Sequence, residues 1–292
     1  MENLSNSCGS IVGHLDTLGV PMNTELRPLS LGELLDRTFF LYRKHFLVFV
    51  GIIAFPYLVL LAFQLTGDVL RPANLGGAFV SALWALLTLV ISLGVLAVSQ
   101  GATVIAVSQV HLGRPVTIAE AFAGIKGRVL YLALIVIGTW IGIAVGFVLL
   151  ILPGIYLALM WALTVPVAVL EDKGLRDSVE RSAQLTKGHR GRVFVVYALF
   201  IILTYAVYMA WELPILACVG VFARSHVAQL PTWSVIAVQI GSFLSQCLVG
   251  PLLTIGFSLF YYDERVRKEA FDLQHMMATL DRGPASTVPV NA

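Results

Sequence analysis

Long uncharged stretches separated by short charged ones dominate the pattern of this chain. Residues 46–67 carry no charge and have the length of one membrane crossing, for which a helix needs about 20 mainly apolar residues. Two further uncharged runs, 72–113 and 129–170, are long enough for either one long helix or two crossings each. Residues 193–222 hold a single charge and residues 225–262 hold none. The pattern predicts an all-α bundle of membrane-spanning helices.

The distribution of basic residues decides how often each run crosses. Of the 19 Lys and Arg residues, all but Arg71 and Arg224 fall in four clusters, which lie before, between and after the uncharged stretches. Because loops rich in Lys and Arg stay in the cytoplasm, each stretch between neighbouring clusters crosses an even number of times. We therefore expect six spans in three hairpins, with both termini in the cytoplasm. The predicted spans are 46–67, 79–98, 130–152, 155–170, 193–218 and 235–260.

Turn-forming residues mark where the hairpins reverse. The outer turns are expected at Asp68 with Arg71, at Pro153-Gly154, and at Arg224 with His226 and Pro231. The tail of the first long run, residues 99–113, is more polar than the rest of that run. We expect this tail to leave the membrane or to lie along its inner face. A seven-span arrangement is disfavoured, because it would place six basic residues outside.

Three short amphipathic segments precede spans one, three and five. Ser30 with Glu33, and Thr117 with Glu120, have the spacing of a capping box, in which a hydroxyl and a carboxylate satisfy free amides at a helix start. The third segment, from Leu175, has no clean box. We expect each segment to form a helix that lies on the inner interface or packs against the ends of the spans.

The two termini differ from the membrane domain, which we place at residues 30–282. Residues 1–29 are polar and contain no secretory signal, and residues 283–292 form a polar tail. Both are expected to be disordered, with a further amphipathic helix between the last span and the tail. Met22 opens a stretch that resembles a protein start, so residues 1–21 are a candidate N-terminal extension.

The composition agrees with lipid as the main solvent of this protein. Apolar residues make up 58% and charged residues 12% of the chain, whereas a soluble domain carries about 25% charge. This excludes a disordered chain, a nucleic-acid binder and a typical cytosolic enzyme. The three cysteines, Cys8, Cys218 and Cys247, are too scattered for a disulfide framework or a metal cluster.

One acidic residue lies inside a predicted span, and it is Glu212. An ionisable residue within the membrane is costly and is by default a functional candidate. No Lys or Arg lies in a predicted span to pair with it. Two alternatives are that Glu212 lies near the outer headgroups, or that it is protonated and hydrogen-bonded to a hydroxyl such as that of Tyr208.

A ladder of small residues and two sets of charges complete the candidate features. Gly138, Gly142 and Gly146 are spaced for close helix approach, within the bundle or in a homodimer. Basic residues of the inner face are expected near anionic headgroups, each favoured by about 1 kcal/mol. This set consists of Arg43, Lys44, Lys126, Arg128, Lys187, Arg190 and Arg192.

The second set of charges follows the last span. It contains Asp263, Glu264, Arg265, Arg267, Lys268, Glu269 and Asp272. On a helix these residues pair mostly at a spacing of four, on an exposed face. A network that also includes the loop after span four is the alternative.

No catalytic or cofactor-binding motif is present in the sequence. It contains no phosphate-binding loop, no dinucleotide-binding glycine pattern, no zinc-protease helix and no nucleophile elbow. The six histidines have no metal-ligand spacing. We therefore expect no catalytic residue, no cofactor, no metal and no nucleic-acid partner.

Several motifs resemble those of a known family. They lie at residues 27–36 with 41–43, 152–157, 165–167 with 170–171, 181–182 with 185–188, and 261–269 with 271–273. In these stretches the chain resembles the bacterial glycerophosphodiester phosphodiesterase membrane-domain family and related six-span proteins. The resemblance implies a multi-pass protein of the bacterial inner membrane. In some relatives this module precedes a soluble phosphodiesterase barrel. Because the chain ends at Ala292, we expect that domain and its activity to be absent.

Two functions are consistent with these features. The first is a non-enzymatic membrane module that organises lipid or partner proteins at the cytoplasmic face, with anionic lipid, a membrane protein or a second copy as its partner. The second is a transporter or permease for a small or lipid-like solute, suggested by Glu212 and by prolines within the spans. A membrane-embedded enzyme lacks any catalytic constellation.

Overall fold

The computed structural model describes residues 29–70, 78–223 and 232–281, with the side chains of 29–67, 79–219 and 233–269. Within these ranges the chain forms ten helices and no strand. The helices are α1 (Leu31–Lys44), α2 (Phe46–Leu70), α3 (Ala78–His111), α4 (Ile118–Ile125), α5 (Val129–Leu149), α6 (Ile151–Met160), α7 (Thr164–Leu170), α8 (Leu175–Thr186), α9 (Arg190–Ala223) and α10 (Thr232–Asp281).

Six helical segments of the described chain are long and apolar enough to cross a membrane. They are Phe46–Gly67, Phe79–His111, Val129–Leu149, Ile151–Leu170, Arg190–Val219 and Trp233–Glu269. The predicted all-α bundle with six such segments is therefore confirmed. Cys8, Met22, the outer-turn residues Arg71, Arg224, His226 and Pro231, and the tail 283–292 lie outside the described residues.

The three short amphipathic helices pack on the long ones. The predicted capping boxes are present at the starts of α1 and α4, whereas α8 follows Gly174 without a side-chain cap. Helix α1 packs against α10, with Leu34 buried and the Tyr42 hydroxyl donating to the Leu248 carbonyl at 2.7 Å. Helix α4 packs against α3, and α8 packs against α7. Their predicted contact with the lipid interface stays a prediction.

The chain reverses after α5 earlier than predicted. Leu150 has extended backbone and separates α5 from α6, so Pro153-Gly154 is not the break. Pro153 is the third residue of α6, where its missing N–H replaces a donor that would have no helical partner. The predicted fourth span is also divided, because α6 ends at Met160 and α7 begins at Thr164.

The first part of the polar tail, residues 99–107, is mostly buried in the core of the bundle, whereas residues 111–113 are exposed. The position of this tail relative to the membrane stays a prediction. Helix α3 continues unbroken to His111, and Ser99 and Thr103 are buried. The Thr103 hydroxyl donates to the carbonyl of Ser99 at 2.7 Å. Because a hydroxyl satisfied by its own helix has little need of water, a residue that looks polar in the sequence can be buried here.

Helix α10 is the centre of the bundle and continues unbroken through the predicted last amphipathic segment. It contacts α1, α2, α3, α7, α8 and α9. Its inner residues, such as Ile255 and Phe260, are fully buried. Tyr197 of α9 packs on Phe257, and Tyr208 reaches Gln246, so α9 and α10 run antiparallel. We name the end of the bundle that carries His111, Arg192 and Asp263 the charged end, and the opposite end the far end.

Candidate functional site: an apolar cavity and a charge network

A large cavity lies between α9 on one side and α5, α6 and α7 on the other. Its volume is about 940 Å³, within the range of roughly 300–1,000 Å³ that is typical of small-molecule sites. Side chains of α10 and Gln100 of α3 close its back. The lining is almost entirely apolar and aromatic, so the space is suited to a hydrocarbon ligand.

One face of α9 forms the first wall of the cavity. Its lining residues form a broad stripe along the helix. The middle of the stripe follows helical spacing through Phe194, Ala198, Ile201, Tyr205, Tyr208 and Glu212. From Phe194 to Glu212 the wall is about 27 Å long at 1.5 Å per residue. The cavity therefore extends along most of the length of a membrane-spanning helix.

The opposite wall comes from α5 and from the broken segment α6–α7. On α5 the lining residues Val136, Thr139, Ile143 and Phe147 again follow helical spacing. The Thr139 hydroxyl is used within the helix, where it donates to the Ile135 carbonyl at 2.7 Å. Little hydrogen-bonding capacity is therefore left on this wall.

Trp161, which like Trp140 contributes an indole to that wall, carries an unpaired polar group. It also lines a second cavity, of about 600 Å³, between α5, α6 and α8. Its indole N–H is buried and has no hydrogen-bond partner among the described residues. This donor is available to an acceptor that enters either cavity.

Glu212 lines the far end of the cavity and is half-buried. Tyr208, one helical turn earlier, donates its hydroxyl to Gln246 of α10 at 3.3 Å, and the Gln246 amide donates to Tyr57 of α2 at 2.9 Å. This chain of hydrogen bonds joins α9, α10 and α2 beside the cavity. The structure thus places the intramembrane candidate next to a polar chain, and its protonation and role stay predictions.

The glycine ladder packs inside this chain. A Cβ at Gly138 would lie 2.9 Å from Leu175 of α8, one at Gly142 would lie 2.4 Å from the Trp161 ring, and one at Gly146 would lie 2.8 Å from Leu157. Such distances leave no room for a side chain. The three glycines therefore permit the close approach of α6, Trp161 and α8 to α5.

The predicted inner-face basic residues differ in exposure and in their partners, and their common place at the inner face stays a prediction. The side chains of Arg43, Lys126 and Lys187 are exposed, and Lys44 lies 5.9 Å from the centre of the Phe40 ring. Arg128 pairs with Asp172 at 2.9 Å.

Arg190 and Arg192 are at the start of α9. The Arg190 guanidinium lies 4.4 Å from the centre of the Tyr156 ring and donates to the Tyr156 hydroxyl. Its Nε is buried and has no hydrogen-bond partner within the described part of the chain. Arg192 contacts Asp263 and Glu264 of α10, and we call the group of charged side chains around these two acids the charge network.

This charge network holds the two most deeply buried acids of the charged end. Asp263 and Glu264 have side chains 1% and 0% exposed. Arg192 lies 3.1 Å from Asp263 and 3.3 Å from Glu264, and His189 lies 2.7 Å from Glu264. Arg267 lies 3.0 Å from Asp263. Each buried carboxylate therefore has a guanidinium within 3.3 Å, the kind of partner that a charge buried in a low dielectric requires.

The same network also forms hydrogen bonds with the main chain just before α1. The Leu29 N–H donates to Asp263 at 2.7 Å. The Leu29 carbonyl accepts from Arg192 at 2.7 Å and from Arg267. We call this arrangement the Leu29 clamp. It fastens the start of α1 to α9 and α10.

A second group of charges connects the loop after α7 to α10. Glu171 accepts from Tyr261 at 2.9 Å and pairs with Lys173 and Arg181. Burial acts to raise the pKa of Glu171, but hydrogen bonds from Lys173 and Tyr261 and the charge of Arg181 together hold this pKa below its usual value. Arg181 also pairs with Glu269 at 3.0 Å. The alternative of a network that includes the loop after span four is therefore observed.

Sequence reasoning missed several residues of these sites. Trp161 carried no signal beyond being aromatic, and Tyr156 was noted only as part of the family-like motif 152–157. The lining face of α9 was hidden because that helix is apolar on every side. Leu29 takes part only through its backbone. Within the described ranges no three His, Cys, Asp or Glu side chains are placed to hold a metal ion.

Comparison with known proteins gives one family match. The model of the membrane domain of glycerophosphoryl diester phosphodiesterase matches residues 131–276, which is half of the 292 residues. The matched region begins in α5 and ends in α10, and it contains both walls of the cavity. No curated protein and no solved structure matches this chain.

Proposed function

The chain belongs to the family of the membrane domain of glycerophosphoryl diester phosphodiesterase and is a multi-pass membrane protein, and from this premise we propose that it is a non-enzymatic module that binds membrane lipid. In this proposal it is located in the bacterial inner membrane with both termini in the cytoplasm. There it organises lipid or partner proteins at the cytoplasmic face. The observation that carries the proposal is the cavity between α9 and α5–α7.

The shape of the cavity favours a lipid acyl chain as its occupant. Its wall along α9 is about 27 Å long, close to the hydrocarbon thickness of about 30 Å. Its lining is apolar and aromatic, and most of the polar groups around it are satisfied within the protein. One acyl chain spans about half of the hydrocarbon core and therefore fits within this length, and its chemistry matches the lining better than that of a compact polar solute does.

The charge at the start of α9 favours an anionic headgroup. Arg190 lies one helical turn before Phe194, the first lining residue of that wall. The Arg190 side chain is only half-buried and donates to Tyr156 from one of its nitrogens, Nη1, so the guanidinium has further N–H groups for a phosphate oxygen. Lys187 is exposed three residues earlier. A lipid with its chain in the cavity and its phosphate at Arg190 satisfies both features.

Native mass spectrometry in nanodiscs of phosphatidylglycerol and phosphatidylethanolamine tests the proposal. We expect the intact protein to retain lipid and the variant Ala198→Trp, which fills the cavity, to lose it. Leu86→Trp is the control, because Leu86 is 57% exposed on α3 and lies outside the cavity. Equal lipid retention in the two variants would contradict the proposal.

A second pair of variants tests the headgroup. We expect Arg190→Ala to lower the ratio of phosphatidylglycerol to phosphatidylethanolamine among the retained lipids. Arg43→Ala, which removes an exposed charge, is the control and should leave that ratio unchanged. The same spectra report whether a second copy or another membrane protein is bound. Hydrolysis of a glycerophosphodiester by the purified protein above background would contradict the non-enzymatic part.

A transporter is the alternative, and the position of Glu212 favours it. An acidic side chain that lines an apolar cavity is suited to carrying a proton or binding a cationic solute. This function predicts solute flux in proteoliposomes that is abolished by Glu212→Gln. Solute flux equal to that of empty vesicles would contradict the transporter function.

A further inference from the structure

The cavity beside α9 is longer than one acyl chain. Its wall extends about 27 Å from Phe194 to Glu212. One acyl chain covers about half of a hydrocarbon core of roughly 30 Å, so a chain that starts at Phe194 ends near Thr204. The remaining wall, about 12 Å long, is then open to a second occupant. On α9 this part of the cavity, which we call the Glu212 subsite, is lined by Tyr205, Tyr208, Met209 and Glu212.

The chemistry of the Glu212 subsite differs from that of the wall before it. From Phe194 to Ile202 the lining residues of α9 are aliphatic or aromatic, whereas the subsite contains a carboxylic acid and two phenol rings. In the described chain no Lys, Arg or His pairs with Glu212. A carboxylate in apolar surroundings is unfavourable without a positive partner. A cation bound beside Glu212 would supply that partner.

The geometry of α9 brings the carboxyl group and the two rings together. Tyr205, Tyr208 and Glu212 are spaced by three and four residues and therefore share one face of the helix. Helical side chains lean toward the amino end of their helix, so Glu212 leans toward Tyr208, and its charge acts on that residue. The face of an aromatic ring also attracts a cation. One positive group can therefore contact the carboxylate and a ring at the same time.

The subsite is held in place from outside the cavity and is open to a ligand. The Tyr208 hydroxyl donates to Gln246 at 3.3 Å, and the Gln246 amide donates to Tyr57 at 2.9 Å. These bonds fix the Tyr208 ring against α10 and α2. Tyr205 is 63% exposed and Glu212 is half-buried. A ligand can therefore reach both side chains without displacing the core.

We propose that the Glu212 subsite binds a hydrophobic organic cation, with the positive centre beside Glu212 and Tyr208 and the apolar groups in the cavity. The inference rests on the proposed function in one respect, because a lipid with its phosphate at Arg190 fills the other half of the cavity. The two ends of the cavity then carry opposite charges. An anionic lipid and a cationic ligand can occupy it together without competing for a charged group. The proposal concerns binding and requires no transport.

Two probes of the same shape and opposite charge test the proposal, namely tetraphenylphosphonium and tetraphenylborate. Equilibrium dialysis against the full chain in uncharged detergent micelles, corrected for binding to empty micelles, gives both dissociation constants. We expect Glu212→Gln to weaken binding of the cation by a factor of about 10, as expected for a partly buried ion pair, and to leave binding of the anion unchanged. Asp177→Asn removes an exposed acid of α8 outside the cavity and should change neither constant.

Two further variants separate the charge from the aromatic ring. Glu212→Asp keeps the charge and should retain most of the affinity for the cation. Tyr205→Leu removes one ring and should weaken binding of the cation by a factor of about 2–5, again without an effect on the anion.

The result that overturns this proposal differs from the one that overturns lipid binding. Unchanged affinity of Glu212→Gln for the cation would overturn the proposal, and so would an equal loss of affinity for the two probes. If the unchanged protein still retains lipid in nanodiscs, the proposed function stands. Binding of the cation through Glu212 by a protein that retains no lipid would instead support the subsite and contradict the proposed function.

Discussion

At the charged end of the bundle, Phe49, Ile52 and Ile255 are shielded completely by neighbouring helices, whereas at the far end Leu86 and Leu216 leave 57% and 66% of their surface exposed. The charged end is covered by the short helices α1, α4, α7 and α8 and is joined by ion pairs. At the far end the long helices diverge around the cavity. The chain thus builds a conventional protein core at one end, whereas at the other end many apolar side chains have no protein neighbour to cover them.

The largest expected effect comes from opening the charge network at the charged end. Arg192→Ala leaves the buried carboxylates of Asp263 and Glu264 with less compensation and loosens the Leu29 clamp. We expect the free energy of unfolding to fall by about 3–5 kcal/mol, measured by denaturant unfolding in mixed micelles. Arg43→Ala, an exposed charge, should change it by less than about 0.5 kcal/mol. Equal stability of the two variants would show that the network contributes little.

Truncating one apolar side chain at each end compares the two environments directly. Ile255→Ala creates a cavity in the core and should lower the free energy of unfolding by about 2–5 kcal/mol. Leu86→Ala removes a side chain that faces outward and should cost less than about 0.5 kcal/mol. The measurement is the same micellar unfolding. A large loss in the free energy of unfolding for Leu86→Ala would show that protein side chains pack against Leu86 at the far end.

The glycine ladder offers a smaller and more local test. Gly142→Ala places a methyl group 2.4 Å from the Trp161 ring, and we expect a loss of about 1–3 kcal/mol from overpacking. At Gly94 no atom lies within 4 Å of an added Cβ, so Gly94→Ala should be neutral or stabilising by up to about 1 kcal/mol through helix propensity. Thermal unfolding of the two variants in the same detergent gives the comparison, and a stable Gly142→Ala protein would contradict it.

The pH dependence of stability should show the smallest effect. Since the pKa of Glu171 is lowered in the folded protein, its interactions with Lys173, Arg181 and Tyr261 contribute stability above the ordinary value of 4.5. That contribution is lost as the pH falls through the lowered pKa. We expect Glu171→Gln to reduce the loss of thermal stability between neutral and acidic pH. A pH profile identical to that of the unchanged protein would count against this role.

Much of the fold could be predicted because charge and apolarity are segregated along the chain. A segment such as 46–67 has no charge over the length of a membrane crossing. A membrane-spanning helix is one of the few structures that accommodate so long an uncharged apolar segment. The capping boxes at Ser30 and Thr117 could also be predicted from the sequence, since the paired side chains and amides lie within four residues of one another.

The remaining features depend on contacts that local sequence does not encode. The turn at Leu150 has no breaker residue, because the Pro153-Gly154 pair fits inside the first turn of α6. Thr103 belongs to the tail that was expected to leave the membrane or lie along its inner face, but its hydroxyl is bonded to its own helix and is therefore readily buried. The cavity arises where α9 diverges from α5–α7, and a helix that is apolar all round gives no periodic signal of which face lines a space.

The Leu29 clamp has a consequence for mutational scanning. All three of its contacts go to main-chain atoms, so replacing Leu29 with alanine leaves every donor and acceptor in place. A side-chain scan would record this position as tolerant, although it fastens the first helix to the last. Only a change to the backbone itself, such as Leu29→Pro, would reveal that the start of α1 is held directly by α9 and α10.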